Sequence, residues 1–92
     1  MPALPSEEIE KRLNTIPGRR LEGGALCRNF DFSDFREAMS FVNAVAAVAE
    51  KAGHHPDIDI RYNKVKLALS SHDAGGITER DFALAAEVGG VL

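Results

Sequence analysis

Cysteine is almost absent: Cys27 is the one thiol in 92 residues. No intrachain disulfide and no C-x-x-C metal knuckle is available, and a reducing cytosol is the expected setting. Long apolar runs are missing as well. The longest, Ala44–Ala49, falls far short of the ~20 residues that a membrane-spanning helix needs. The first residues, Met1 to Glu8, lack a cationic stretch followed by an apolar core, so no secretory signal is expected. Neither charge is in large excess. Eleven Lys+Arg against 14 Asp+Glu give a formal charge of −3 with no basic block, which argues against a dedicated nucleic-acid binder.

What is present is the balance of an ordinary globular chain, 45% apolar and 27% charged. The length predicts a single domain over residues 1–92. A chain of this size buries only roughly 60–65% of its unfolded surface, so oligomerisation would add stability.

Hydrophobic spacing divides the chain into seven elements. Ser6 as a cap, followed by Glu7 and Glu8, predicts a helix start, and Ile9, Leu13 and Ile16 continue it until Pro17-Gly18. Arg19–Glu22 and Ala25–Phe32 then flank Gly23-Gly24, a pair suited to a tight hairpin turn. Leu26, Phe30 and Phe32 fall on one face of the second strand. Cys27, Asn29 and Asp31 fall on the other, which leaves Cys27 without a role, and Arg28 is placed at the rim.

A long helix follows from Ser33 or Asp34 to Lys51, with Phe35, Ala38, Met39, Val42, Val45, Ala46 and Ala49 as its inner stripe and Gly53 as its stop. Ile58, Ile60 and Tyr62, then Val65, Leu67 and Leu69, alternate with polar or small residues around a turn at Asn63. Thr78 with Asp81 three residues on is a capping-box pattern that opens a last helix ending near Gly89-Gly90. The expected fold is α+β, in the order α-β-β-α-β-β-α. A four-stranded antiparallel sheet carries its helices on one face.

All three histidines flank the second hairpin: His54 and His55 before it, His72 after it. The start of one hairpin strand and the end of its partner lie at the same sheet edge, so these residues are expected to converge. Imidazole, with an unperturbed pKa of ~6.5, both gives and takes protons near neutral pH. Neighbours in an extended chain point to opposite sides, so His54 and His55 need not face the same way. Glu50, at the end of the long helix, is spaced to reach an imidazole on the next turn and orient it. Three histidines also suit a Zn²⁺ site, but no H-x-x-x-H spacing supports one. Gly75-Gly76 is better read as a turn into the last helix than as an anion cradle. Asp81 is assigned to closing the capping box rather than to chemistry.

Glu50, Lys51, His54, His55 and Pro56, then Tyr62, Asn63 and Val65, then Ser71-His72 and Gly75 through Asp81 form a gapless pattern. It resembles that of the pterin-4a-carbinolamine dehydratases, also called 4a-hydroxytetrahydrobiopterin dehydratases. Weaker similarity reaches back to Leu21, Glu22 and Gly23 and to Phe30, Phe32 and Phe35. The resemblance implies the same α-β-β-α-β-β-α fold and the dehydration of a 4a-hydroxy-tetrahydropterin to the quinonoid dihydropterin, part of tetrahydrobiopterin recycling.

By that resemblance the catalytic groups are His54, His55, His72 and Glu50. His54 is the expected main acid/base, assisted by Glu50, with His72 on the opposite side and His55 positioning the pterin. The residues alone leave open which imidazole donates and which accepts. Pro56, Asp57, Ser71, His72, Asp73 and Ala74 would line the pterin pocket. No metal and no redox cofactor is implied, because dehydration moves protons and no electrons. A homodimer or homotetramer is implied, built by pairing sheet edges and packing helices, for which Phe41 and Val48 of the long helix would offer a surface. An aromatic amino acid hydroxylase is the expected pathway neighbour, and neither nucleic acid nor membrane is an expected partner.

Two residues depart from the family pattern. Ile58 stands where Trp is common, which removes an aromatic face, and Ser71 replaces Thr, which keeps the hydroxyl. The rival reading is a binding or assembly protein on the same scaffold. The family includes a dimerisation cofactor for a homeodomain transcription factor and Rubisco-assembly proteins. Retention of all three histidines favours the enzyme.

Overall fold

A computed structural model describes residues 3–16 and 18–92. Three helices and four strands follow in the expected order. Helix α1 (Ser6–Leu13) begins at Ser6 itself: Pro5 occupies the cap position, and no side chain caps the helix. The Pro5 carbonyl instead accepts from the Glu8 and Ile9 amides. Ser6 is therefore the first helical residue and not the cap, while Pro17, expected to stop the run, lies outside the described residues. Ile9 is the buried residue of α1, and Arg12 joins Glu8 at 2.9 Å and Glu79 of the last helix at 2.6 Å.

Strands β1 (Arg20–Glu22) and β2 (Ala25–Asp31) are joined through Gly23 and Gly24 at φ 58° and 77°. Two consecutive positive φ values are what a tight hairpin turn demands, and glycine adopts them without a Cβ clash. Helix α2 (Phe35–Ala52) is capped by Asp34, whose carboxylate accepts from the Glu37 amide at 2.8 Å. Strands β3 (Asp57–Arg61) and β4 (Lys64–Leu69) form the second hairpin. At its turn the Asn63 side-chain amide donates to the Phe32 carbonyl at 2.9 Å, and the Phe32 backbone amide donates to the Asn63 carbonyl at 2.9 Å. This turn residue thereby latches the end of β2 to the hairpin. Helix α3 (Glu79–Gly89) closes the order, with Thr78 and Asp81 forming the capping box.

The sheet runs β1-β2-β4-β3 with every pair antiparallel. Its helix-covered face presents Leu26, Phe30, Val65, Leu67 and Leu69, all buried, against Ala38, Phe41, Val42, Val45 and Ala49 of α2 and Phe82, Ala85 and Val88 of α3. Each fully buried aliphatic side chain stabilises by about 1.5–3 kcal/mol relative to exposure, so this layer is what holds the helices on the sheet. Among the described residues no helix is long and apolar enough to cross a membrane.

Three placements in α2 differ from the sequence-based expectation. Phe41, expected to face outward, is buried with its ring 4.6 Å from Phe30 and 5.0 Å from Phe32. Phe35 and Ala46, expected inside, are exposed. The inner stripe of α2 runs through 38, 41, 42, 45 and 49 because a bulky ring there fills the space beside Phe30 of β2 and Phe32 just past its end.

Arg28 belongs to the helix-covered face rather than the rim: it is half-buried, with its guanidinium 4.6 Å from the centre of the Phe30 ring. Cys27 does lie on the opposite face, yet it is buried. Its neighbours across the sheet are Arg20 and Ala68, beside a cluster in which Glu22 pairs with both Arg20 and Lys66.

Candidate active site

The end of α2 decides which way each histidine turns. Gly53 adopts the left-handed conformation, φ 66° and ψ 28°, which a residue with a Cβ adopts only under strain. Its amide donates to the Glu50 carbonyl, and the His54 amide donates to the Ala49 carbonyl, both at 3.2 Å. These two bonds close a Schellman motif, the usual way of satisfying the last carbonyls of a helix. The chain folds back over the final turn, His54 enters the protein at 9% exposure, and His55 stays outside.

Inside, His54 meets a carboxylate. Its Nε2 lies 2.5 Å from Oδ1 of Asp81, which is fully buried. The other oxygen, Oδ2, accepts from the Ser71 hydroxyl and from the Thr78 amide, both at 2.9 Å. A carboxylate buried this deeply is sustained only by donors, and Asp81 has three. The Ser71 hydroxyl hydrogen is committed to Asp81, so the Thr78 hydroxyl, 2.9 Å away, donates to Ser71 and itself accepts from the Arg80 amide.

An ionised carboxylate only accepts. The proton between Asp81 and His54 therefore sits on Nε2, and Nδ1 is left as the ring nitrogen available for exchange. Asp81 thus closes the capping box, as its spacing predicts, and orients His54 as well. The second role escapes a reading of the sequence, because a capping box already accounts for an acid at that position.

Glu50 does not reach His54. Its carboxylate pairs with Nε2 of His55 at 2.8 Å, with both side chains exposed. Two separate acid–imidazole pairs follow one another along the chain, one outside and one inside.

His72 heads a short 3-10 turn, His72–Ala74, just beyond β4. Register places it at the same sheet end as His54 and His55, since Asp57 at the start of β3 pairs with Ala68 at the end of β4. The turn is tied down at both ends: Ser71 and Gly76 exchange backbone hydrogen bonds of 2.8 and 3.3 Å. His72 is exposed and borders an open cleft of about 290 Å³ together with Ser71, Gly23, Gly24, Gly75 and Gly76.

Of the other expected pocket residues, Asp73 is exposed and pairs with Arg80 at 2.7 Å, a hydrogen bond that holds its carboxyl below the usual range. Ala74 is half-buried in the turn. Pro56 and Asp57 lead into β3, and Asp57 borders a shallow depression of about 220 Å³ with Ile58, Asp59, Lys66 and Ala68. Among the described residues no three His, Cys, Asp or Glu side chains gather as a metal-binding group.

In sequence and in overall fold the chain is similar to known proteins. Residues 2–91 match the sequence profile of the family described as pterin 4 alpha carbinolamine dehydratase. A protein of Acidobacterium capsulatum, provisionally assigned to that enzyme by name, is 56% identical over 92 residues, the full length of both chains. A crystal structure from Brucella melitensis, described as a transcriptional coactivator/pterin dehydratase, superposes with a TM-score of 0.92 at 32% identity, covering 97% of each chain. A pterin dehydratase-like protein identified as a RuBisCO assembly factor in the alpha-carboxysome gives a TM-score of 0.64 at 27% identity, covering 79% of this chain and 84% of its own.

Proposed function

The chain belongs to the pterin 4 alpha carbinolamine dehydratase family, and from that premise we propose that it catalyses the dehydration of a 4a-hydroxy-tetrahydropterin. The C4a–O bond breaks, the hydroxyl leaves as water, and N5 loses its proton, which yields the quinonoid dihydropterin. One proton is delivered and one removed, so the balance needs two proton-transfer groups.

His54 is the main one. The observation that carries this reading is the buried Asp81 carboxylate on Nε2, which leaves Nδ1 to exchange the proton and stabilises the imidazolium when it forms. Asp81 takes the supporting part that the family resemblance gave to Glu50. His72, on its anchored turn at the same sheet end, supplies the second transfer. The exposed His55–Glu50 pair helps to hold the pterin. General acid–base groups contribute typically about 10²–10⁴-fold.

The test is the dehydration rate of a 4a-hydroxy-tetrahydropterin generated in situ, with wild type and His54→Ala compared against the spontaneous reaction. A fast wild type and a variant slowed by about 10²-fold or more support the reading. A wild type no faster than buffer and without pterin affinity overturns it in favour of a protein-binding role, the part named for the structurally similar RuBisCO assembly factor.

A further inference from the structure

We propose that Arg80, through Asp73, is a positioning residue for His72. The proposal rests on the dehydratase reading, in which His72 transfers a proton. His72 is exposed, and its ring makes no hydrogen bond among the described residues. Its place is therefore set by the backbone of the 72–74 turn alone. That turn has two side-chain anchors, and both lie at the cap and first turn of α3. Ser71, just before it, is held by Thr78 and Asp81 in the buried network. Asp73, just after His72, is held at 2.7 Å by Nη2 of Arg80.

Arg80 is suited to hold and not merely to touch. Its side chain is only one-third exposed, its Nε is buried with no hydrogen-bond partner among the described residues, and its amide is fixed on the Thr78 hydroxyl. The guanidinium is thus partly buried at the helix start and reaches outward to the turn. Adjacent residues of one helical turn then govern the two proton-transfer groups: Asp81 orients the His54 ring, and Arg80 fixes the loop that carries His72.

The experiment compares wild type with Arg80→Gln, Arg80→Lys, Asp73→Asn and the Arg80→Gln/Asp73→Asn double variant. Backbone order parameters at residues 72–75 are measured without substrate, and kcat and KM with it. An exposed ion pair adds little to folding, so the variants stay folded with Tm within about 5 °C of wild type. Order parameters at 72–75 fall from about 0.85 toward 0.6 in Arg80→Gln. kcat falls about tenfold, inside the ~10² that a 1 Å misplacement can cost, while KM changes less.

Arg80→Lys, which keeps the cation, recovers part of the loss. The double variant is no worse than either single one, as expected when two residues act through one contact. Unchanged order parameters in Arg80→Gln, or losses that multiply in the double variant, overturn the proposal. If wild type itself fails to dehydrate the pterin, the functional reading falls, and the order parameters decide the clamp on their own.

Discussion

Glu50 and His55 pair at 2.8 Å on the surface while the very next residue inward, His54, finds its acid on a different helix, at Asp81. Two imidazoles that are neighbours in sequence therefore sit in opposite electrostatic settings, one exposed to water and one enclosed. The division of labour proposed for them follows from that contrast, and several measurements bear on it.

Asp81→Asn should leave the protein folded but nearly inactive. The new amide can keep the Ser71 and Thr78 donors on its oxygen only by turning its NH₂ toward His54. That NH₂ donates to Nε2 and moves the ring proton to Nδ1. A wrong tautomer of this kind costs up to about 10⁴-fold in a His–Asp pair. Nitrogen chemical shifts of the His54 ring report the tautomer directly. Full activity with the proton still on Nε2 would contradict the assignment.

Glu50→Gln should matter much less. Both members of its pair are exposed, and such pairs are worth about 0–1 kcal/mol. We expect stability within about 0.5 kcal/mol of wild type and a loss in kcat below roughly tenfold, well short of what a main acid/base contributes. A loss as deep as that of His54→Ala would return Glu50 to the centre of the chemistry.

Glu22 gives the open sheet face a pH signature. Hydrogen bonds from Lys66 and then Arg20 pull its carboxyl from 4.5 down to about 2. A depressed acid contributes stability that is present above its unfolded pKa and lost as pH falls through the folded one. Glu22→Gln should therefore melt below wild type at pH 6, with the gap closing between about pH 4.5 and pH 2. The gap should also narrow in 1 M salt, because the groups are exposed. Thermal scans across that range provide the check, and a gap that persists at pH 2 would refute it.

Arg19 marks a site where the fold carries a cost. It is 8% exposed, and none of its guanidinium nitrogens finds a hydrogen-bond partner among the described residues. Burial first, and Arg28 second, lower its pKa to about 10. Arg19→Met keeps the apolar stem and removes an unsatisfied charge, so it should stabilise by about 1–3 kcal/mol. Urea midpoints at constant slope read the change, and a destabilised variant would show that Arg19 has a partner.

The fold was legible because its signals are local and consistent. The Gly23-Gly24 turn, the alternation through Ile58 to Leu69 and the Thr78–Asp81 spacing each name one structure with few competitors. The site was legible only in part. Convergence of the three histidines at one sheet end follows from antiparallel pairing, and register agrees with it. The partners of His54 and His55 could not be read the same way. They depend on whether the chain leaves α2 straight or folded back, and a single left-handed residue, Gly53, decides that. Asp81 was hidden by its own capping role, since one carboxylate has two oxygens and spacing accounts for only one. Phe41 was misplaced because its neighbours, Phe30 in β2 and Phe32 just beyond it, belong to a segment whose approach no helical period contains.

The reliance of His54 on Asp81, 27 positions later, also sets a condition on biosynthesis. A chain interrupted between His72 and Asp81 carries all three imidazoles and all four strands of the sheet, yet has no carboxylate to seat His54 and no helix start to anchor the turn of His72. Truncated products that end before Asp81 are therefore expected to lack the dehydratase activity proposed above.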